Sequence, residues 1–308
     1  MYAEFYGLKE LPFALTPDPR FIYFTPSHTE VMANLHYGIE SGKGLVVVTG
    51  EVGTGKTTIL RWMMQRLDRT VLVAYIFNPR LSVTDFYQHV AALFDIQRWE
   101  SKPELLMELG QALESRHSRG LRTVLIIDEA QGLSPSVLEE IRLLSNFESD
   151  TAKQLQIVLT GQPELREVLN DPDLRQLKQR VALRCLIKPL PTVEETDRYI
   201  TSRLLVAGAE RTDLFSSAAI DYIYRCTEGI PRNINNLCDN ALLAGYAAGD
   251  LNISRAIIEE VAESLDMLPR AERRAPTAEP RALPARIFSD VSRAELWATG
   301  NGNGDSSN

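Results

Sequence analysis

The sequence is poor in cysteine and histidine, and the few that occur exclude several classes of protein. Among 308 residues there are 3 cysteines and 4 histidines. The cysteines form no CxxC pair and the histidines do not cluster, so we expect neither a disulfide framework nor a structural transition metal. Thiols without such a pattern are typical of proteins in a reducing compartment.

Long apolar runs are also absent from the sequence. No stretch approaches the roughly 18 apolar residues that indicate a transmembrane helix. Residues 1–10 lack the apolar core of a signal peptide. We therefore expect a cytoplasmic protein without a membrane span of its own.

Positive charge is outnumbered by negative charge. The chain has 33 lysines and arginines against 41 acidic residues, a formal net charge of -8. Because binding to DNA phosphates needs clustered lysine and arginine, this balance disfavours a DNA-binding role without excluding it. With 44% hydrophobic residues the chain can bury a sizeable core, and its length favours two domains.

Short β-branched runs alternate with helical patterns over the first two thirds of the chain. The runs cover residues 45–49, 71–77, 123–128, 155–160 and 181–188. Their length and composition predict buried strands. Strands that alternate with helices predict an α/β fold, with a parallel five-stranded sheet and helices on both faces.

The segments that flank this core have other compositions. Residues 1–26 combine prolines with aromatics, which predicts an ordered, non-helical strap, and a helix is expected to follow an N-cap at Ser27. After residue 190 only helical patterns occur, and from about residue 268 Pro, Ala, Arg and Glu dominate. We therefore expect an α/β domain with its strap, a small all-helical domain and a disordered tail, at residues 1–190, 191–267 and 268–308.

The strongest motif is Gly50-Glu51-Val52-Gly53-Thr54-Gly55-Lys56-Thr57, which matches GxxxxGK[ST] between a predicted strand and a predicted helix. Its glycines let backbone N–H groups surround an anion, and the helix N-terminus adds a positive dipole end. Lys56 is placed for the β and γ phosphates and Thr57 for Mg²⁺. The motif predicts an ATP site with Mg²⁺, formed by these residues and Thr58.

Two carboxylates follow the third predicted strand. Val124-Leu125-Ile126-Ile127 ends in Asp128-Glu129, and ligands bind at the carboxyl edge of an open parallel sheet. We expect Asp128 to hold the magnesium shell and Glu129 to orient or deprotonate the attacking water. Taken alone, an acid at a strand end is as often structural, but after a P-loop the pair is much more specific.

One hydroxyl and several arginines complete the set of candidates. Thr160 ends the fourth strand, where it could hydrogen-bond the attacking water or serve only as a turn residue. Arg180 precedes the last strand, and Arg232 follows Pro231 at a helix start. An arginine on the γ phosphate of a neighbouring subunit accelerates transfer, a role for which Arg175 and Arg184 compete with Arg180. For each arginine a solvated helix surface is the alternative.

Together these residues resemble the AAA+ ATPases, and more narrowly the ExeA/GspA group of secretion-associated ATPases with relatives in exopolysaccharide export. The narrower resemblance covers about residues 1–266. It rests on Phe5-Tyr6-Gly7-Leu8, Pro12-Phe13, Pro17-Asp18-Pro19, Tyr37-Gly38-Ile39, Gly50 to Thr58, Gly161-Gln162-Pro163-Glu164-Leu165 and Gly229-Ile230-Pro231-Arg232-Asn233-Ile234-Asn235.

The resemblance implies a sheet in the order 5-1-4-3-2, a helical lid and nucleotide-dependent oligomers. It implies Thr160 as sensor 1, Arg232 as sensor 2, and Arg180 as the arginine that acts across a subunit interface. The ExeA-type continuation into a membrane span and a peptidoglycan-binding domain is not seen in this sequence, so we expect contact with the envelope through a partner.

Three functions are compatible with these observations. The first is an ATPase that assembles or regulates an envelope secretion or export machine. The second is a transposition-type regulator that forms ATP-dependent filaments on DNA, which the acidic charge disfavours. The third is a nucleotide-gated scaffold with little turnover.

Overall fold

The chain folds around a parallel β-sheet in a computed structural model that describes residues 2–16, 18–77, 80–149 and 152–272. The strands are β1 (Leu45–Gly50), β2 (Val71–Ile76), β3 (Arg122–Ile127), β4 (Gln156–Gly161) and β5 (Val181–Ile187). They lie in the order β2-β3-β4-β1-β5. This confirms the expected order 5-1-4-3-2, and each strand agrees with a predicted run to within one residue at each end.

Helices connect the strands and cover the sheet. Their bounds are α1 (Tyr2–Phe5), α2 (Pro26–Glu40), α3 (Lys56–Met64), α4 (Val83–Leu93), α5 (Lys102–Ser118), α6 (Pro135–Leu144), α7 (Glu164–Val168), α8 (Arg175–Arg180), α9 (Val193–Val206), α10 (Ser217–Thr227), α11 (Pro231–Ala248) and α12 (Arg255–Ser264).

Successive residues of β1 face opposite sides of the sheet, which explains why its run is apolar throughout. Leu45 and Val47 pack in a hydrophobic cluster with α4, α5 and α6. Val46 and Val48 pack in another cluster with α2 and α3. The sheet is therefore buried on both faces, as the sequence predicted.

A third hydrophobic cluster joins the N-terminal strap to the helices that follow β5. Buried side chains of α9 to α12 pack there against strap aromatics such as Phe13, which is fully buried and makes an edge-to-face contact with Phe215. The strap is ordered, as predicted. The expectation that it is non-helical was wrong, because α1 and a 3₁₀ turn at Pro19–Phe21 form within it, the latter with proline at its favoured first position.

The start of α2 also differs from the sequence prediction. The N-cap is Thr25 rather than Ser27, because Pro26 takes the first helical position and the Thr25 side chain accepts the backbone N–H of His28. The His28 ring in turn accepts the backbone N–H of Thr25, which completes a reciprocal capping pair.

The residues up to Arg270 form one compact unit. The expected boundary between residues 190 and 191 therefore remains a prediction. Residues 273–308, which hold most of the expected tail, lie outside the described residues.

Candidate nucleotide-binding site

The P-loop connects β1 to α3 with the geometry that an anion site needs. Gly53 and Gly55 adopt φ values of 82° and 95°, in the left-handed region that favours glycine. Gly55 caps α3 without a side-chain hydrogen bond. The first N–H groups of α3 therefore have no side chain to satisfy them and are available to a phosphate.

Lys56 lies across this loop. Its Nζ donates to the carbonyl oxygens of Gly50 at 2.8 Å and Glu51 at 3.0 Å. Its side chain is buried, which lowers the pKa of the ammonium, while the negative charges of Glu129 and Asp128 partly offset that shift. Lys56 is thus held inside the loop, where its charge interacts with both carboxylates that follow β3.

Asp128 connects three elements at the carboxyl edge of the sheet. The carboxylate is fully buried and accepts hydrogen bonds from Thr57 Oγ1 at 2.7 Å, from the Tyr75 hydroxyl at 3.1 Å and from the Thr160 hydroxyl. Burial beside Asp128 raises the pKa of Tyr75. Sequence reasoning missed Tyr75, although a tyrosine near the end of an apolar strand is a usable signal, because its hydroxyl needs a partner.

Glu129 sits in a strained backbone conformation next to the cleft. Its φ of 56° lies in the left-handed region, which costs about 1–3 kcal/mol and is common at functional sites. Its carboxylate accepts hydrogen bonds from Gln131 Nε2 at 2.6 Å and Gln162 Nε2 at 3.2 Å. The side-chain oxygen Oε1 of Gln131 accepts the backbone N–H of Gln162. Neither amide was predicted as a site residue.

Arg232 brings α11 against the P-loop. Its backbone N–H donates to the Gly53 carbonyl oxygen at 3.1 Å, and its side chain is exposed and lines the cleft. A Cβ on Gly53 would come within 2.5 Å of the Arg232 Cβ, so the close approach requires glycine. The structure thus places this predicted arginine beside the phosphate loop.

The other predicted arginines lie elsewhere. Arg180 ends α8, immediately before Val181, which pairs with Leu45 at the start of β1. The P-loop follows the opposite end of β1, roughly 17 Å away along a six-residue strand. Arg175 begins α8, and Arg184 lies on β5 opposite Val47. The structure therefore does not bring Arg180 to the P-loop of its own chain.

One cleft of about 380 Å³ runs along the P-loop. Val52 to Ile59 and Glu129 line one part of it. Gly50 and Glu51 do not line the cleft, but their carbonyl oxygens accept hydrogen bonds from Lys56. The strap and the helices after β5 form the other wall, through residues that include Phe21, Tyr23, Tyr199, Arg203 and Asn235. None of Tyr199, Arg203 and Asn235 was predicted from the sequence as a site residue.

In the described ranges of the chain, none of the helices is both long enough and apolar enough to cross a membrane.

Comparison with known proteins agrees with this geometry. Residues 39–169 match the AAA domain family. The chain is 42% identical over 255 residues to general secretion pathway protein A of Aeromonas hydrophila, a match that covers 82% of this chain and 46% of that protein. The chain therefore spans less than half the length of this relative.

Solved structures share the fold at low sequence identity. Cdc6p from Pyrobaculum aerophilum superposes with a TM-score of 0.64 at 18% identity, over 83% of this chain and 70% of that chain. The RuvB Holliday junction branch migration motor of Thermotoga maritima gives 0.51 at 19% identity, over 77% and 69%.

The parallel sheet, the P-loop and the paired acids define a nucleotide-binding P-loop protein of the AAA class. Within that class, the match to general secretion pathway protein A confirms the expected resemblance of the chain to the ExeA/GspA group.

Proposed function

We propose that this chain binds ATP together with Mg²⁺ and hydrolyses ATP to ADP and phosphate. The observation that carries the proposal is the convergence of four side chains beside one cleft. Lys56 lies across the P-loop, Thr57 and Asp128 are hydrogen-bonded to each other, and Glu129 lines the same cleft.

The donor set fits Mg²⁺, which prefers hard oxygen ligands from one or two side chains plus phosphates. Thr57 Oγ1 and Asp128 Oδ2 are 2.7 Å apart and are the residues that would hold it. When bound, Mg²⁺ supplies positive charge to the β and γ phosphate oxygens.

The remaining residues take roles that follow from their positions. The Lys56 ammonium neutralises phosphate charge, and the Glu129 carboxylate accepts a proton from the attacking water. Thr160 holds the Asp128 carboxylate in place. Arg232, next to Gly53, contacts the γ phosphate from the side of α11.

Two substitutions separate binding from turnover. Lys56→Ala should weaken ATP binding strongly, because it removes the buried charge inside the loop. Glu129→Gln should retain ATP binding but lower steady-state phosphate release by at least about 100-fold, as expected for loss of a general base. Lys43→Ala, an exposed lysine just before β1, is the matched control and should change neither measurement.

We further propose that the chain works as an ATP-dependent oligomer with an envelope secretion or export component. It would act in the cytoplasm and be recruited to the inner membrane by that partner. The likeness to general secretion pathway protein A supports this pathway. Measuring the particle size with and without ATP tests this proposal, which predicts a larger particle when ATP is present.

The same measurements decide between the alternatives. If the assembled protein releases no phosphate and Glu129→Gln makes no difference, a nucleotide-gated scaffold is favoured. A salt-dependent shift of DNA in the presence of ATP would favour the DNA-bound regulator.

A further inference from the structure

The end of the cleft beyond the P-loop is walled by buried polar side chains. Tyr199 and Arg203 of α9 and Asn235 of α11 line the same cleft as Gly53 to Thr58. Each of the three is less than 10% exposed. If the phosphates of a nucleotide occupy the P-loop, as the proposed function requires, the base must extend along this cleft.

The three side chains form a hydrogen-bonded relay. Arg203 Nη1 donates to the Tyr199 hydroxyl oxygen at 3.2 Å, and the Tyr199 hydroxyl donates to Asn235 Oδ1 at 2.8 Å. A guanidinium can only donate, so the tyrosine oxygen accepts from it, which leaves the tyrosine proton for Asn235 Oδ1, the amide atom that faces the hydroxyl.

This order determines what Asn235 presents to the cleft. With Oδ1 facing Tyr199, the amide Nδ2 and its two N–H donors point elsewhere. Among the described residues, every fully buried side-chain nitrogen or oxygen has a hydrogen-bond partner. Within those same ranges Nδ2 of Asn235 makes no hydrogen bond to protein, so its donors are open to the cleft that the residue lines.

The relay is anchored to the strap. Arg203 Nε donates to the Pro12 carbonyl oxygen at 2.6 Å, and the guanidinium lies 4.8 Å from the centre of the Phe21 ring. Both the cation–aromatic contact and the charge-assisted hydrogen bond limit its motion. The Asn235 amide is therefore held in one orientation before any ligand binds.

We propose that Asn235 Nδ2 donates a hydrogen bond to a ring nitrogen of the purine base and thereby selects nucleotides over bare polyphosphate. Adenine offers acceptors at its ring nitrogens N1, N3 and N7. Tyr199 and Arg203 are positioning residues, since they act by fixing the Asn235 amide. This inference rests on the proposed ATP site and adds a specificity residue to it.

The test compares ATP with inorganic tripolyphosphate, which carries the phosphates but no base. Binding is measured by calorimetry on the full chain with Mg²⁺. Asn235→Ala should weaken ATP binding about tenfold, the effect of one buried hydrogen bond, and leave tripolyphosphate binding unchanged. Asn233→Ala, on the same helix but outside the cleft lining, is the matched control and should alter neither ligand.

Two further measurements separate hydrogen bonding from a structural effect. Tyr199→Phe deletes one oxygen and should lower affinity for ATP but not for tripolyphosphate. Among 1-, 3- and 7-deaza-ATP, the analogue that lacks the contacted nitrogen should bind wild type and Asn235→Ala equally, as a thermodynamic cycle requires.

Two outcomes would overturn the inference. One is an equal loss of ATP and tripolyphosphate affinity in Asn235→Ala; the other is an unchanged ATP affinity. Failure of the wild-type protein to bind either ligand would instead remove the proposed ATP site itself, and the inference with it.

Discussion

Lys56 and Asp128 are buried ionic groups, and each is stabilised by neutral partners. Burying an unpartnered charge is costly. Asp128 receives three hydroxyl hydrogen bonds and the backbone N–H of Glu129, while Lys56 donates to two carbonyl oxygens. Because these partners are neutral, they hold both groups in place without forming an ion pair with either. A phosphate or a metal ion can therefore replace some of them when it binds, with little rearrangement.

His28 links the strap to the P-loop through its imidazole ring. Nε2 lies 3.2 Å from the Thr54 carbonyl oxygen, and Nδ1 lies 3.0 Å from the Tyr23 carbonyl oxygen and within range of the Thr25 N–H. Neutral His28 can donate from Nε2 to the Thr54 carbonyl oxygen and accept the Thr25 N–H at Nδ1, but it then has no proton for the Tyr23 carbonyl oxygen. Burial lowers its pKa, although the two backbone carbonyls partly oppose the shift.

The lowered pKa of His28 predicts a stability loss in acid. A group whose pKa is lower in the folded than in the unfolded state contributes fully above the unfolded value, about 6.5 for histidine, and loses that contribution as the pH falls towards the folded value. His28→Gln should therefore reduce the loss of unfolding free energy between pH 7.5 and pH 5.5. Urea denaturation at several pH values measures it.

The matched control is His36→Gln, since His36 is exposed on the same helix. This variant should follow the wild-type pH dependence. If His28→Gln and the wild type lost the same unfolding free energy between pH 7.5 and pH 5.5, His28 would not titrate as its burial requires.

Local motifs were enough to predict the candidate residues that the structure brings together. Lys56 and Thr57 belong to a loop whose glycines specify its shape, and Asp128 follows an apolar run. No comparable motif marks Tyr75 or Gln131. Their roles depend on strand register and on a turn that begins at a left-handed Glu129, which no periodicity encodes.

The turn before α11 is tightly constrained by its glycine. Gly229 follows α10 with a φ of 71°, and its carbonyl oxygen accepts the backbone N–H of Leu190 at 2.9 Å. A Cβ at this position would lie 2.1 Å from the Leu190 carbonyl oxygen. This contact joins the segment after β5 to the start of the helix that carries Arg232 and Asn235.

Gly229→Ala should destabilise the protein by about 3 kcal/mol, because left-handed strain of about 1–2 kcal/mol adds to a backbone clash. Gly249→Ala is the matched control: Gly249 has a φ of 77° but open space around it, so only the strain of about 1–2 kcal/mol is expected. Chemical denaturation measures both. Equal losses would mean that the Leu190 contact does not constrain the turn.

The boundaries of elements were predictable where one signal dominated. The strands matched because each is a short apolar run that ends in turn residues. The start of α2 was predicted at the wrong residue. Thr25 and Ser27 are both suitable caps, and the choice between them depends on Pro26 and the His28 ring. Tyr199, Arg203 and Asn235 were missed because the face that a helix presents to a cleft is set by tertiary packing.

The two arginines that the sequence predicted to act on phosphate, Arg232 and Arg180, lie in different parts of the molecule. Arg232 lies beside its own P-loop, whereas Arg180 lies at the opposite end of β1 and β5. The separation along the strand, roughly 17 Å, exceeds the reach of an arginine side chain. If Arg180 acts in hydrolysis, it must act on the nucleotide of another copy in the proposed oligomer.

Mixing two inactive variants tests this arrangement. Arg180→Ala should lower phosphate release by about 10³-fold or more while retaining ATP binding, and Lys56→Ala removes the ATP site but keeps Arg180. In an equimolar mixture, the intact site of one variant meets the intact arginine of the other, so part of the activity should return. Parallel mixtures with Arg175→Ala and Arg184→Ala show which arginine is required. If the variants co-assemble without recovery, Arg180 does not supply the missing charge, because mixed interfaces would then contain every group that the mechanism needs.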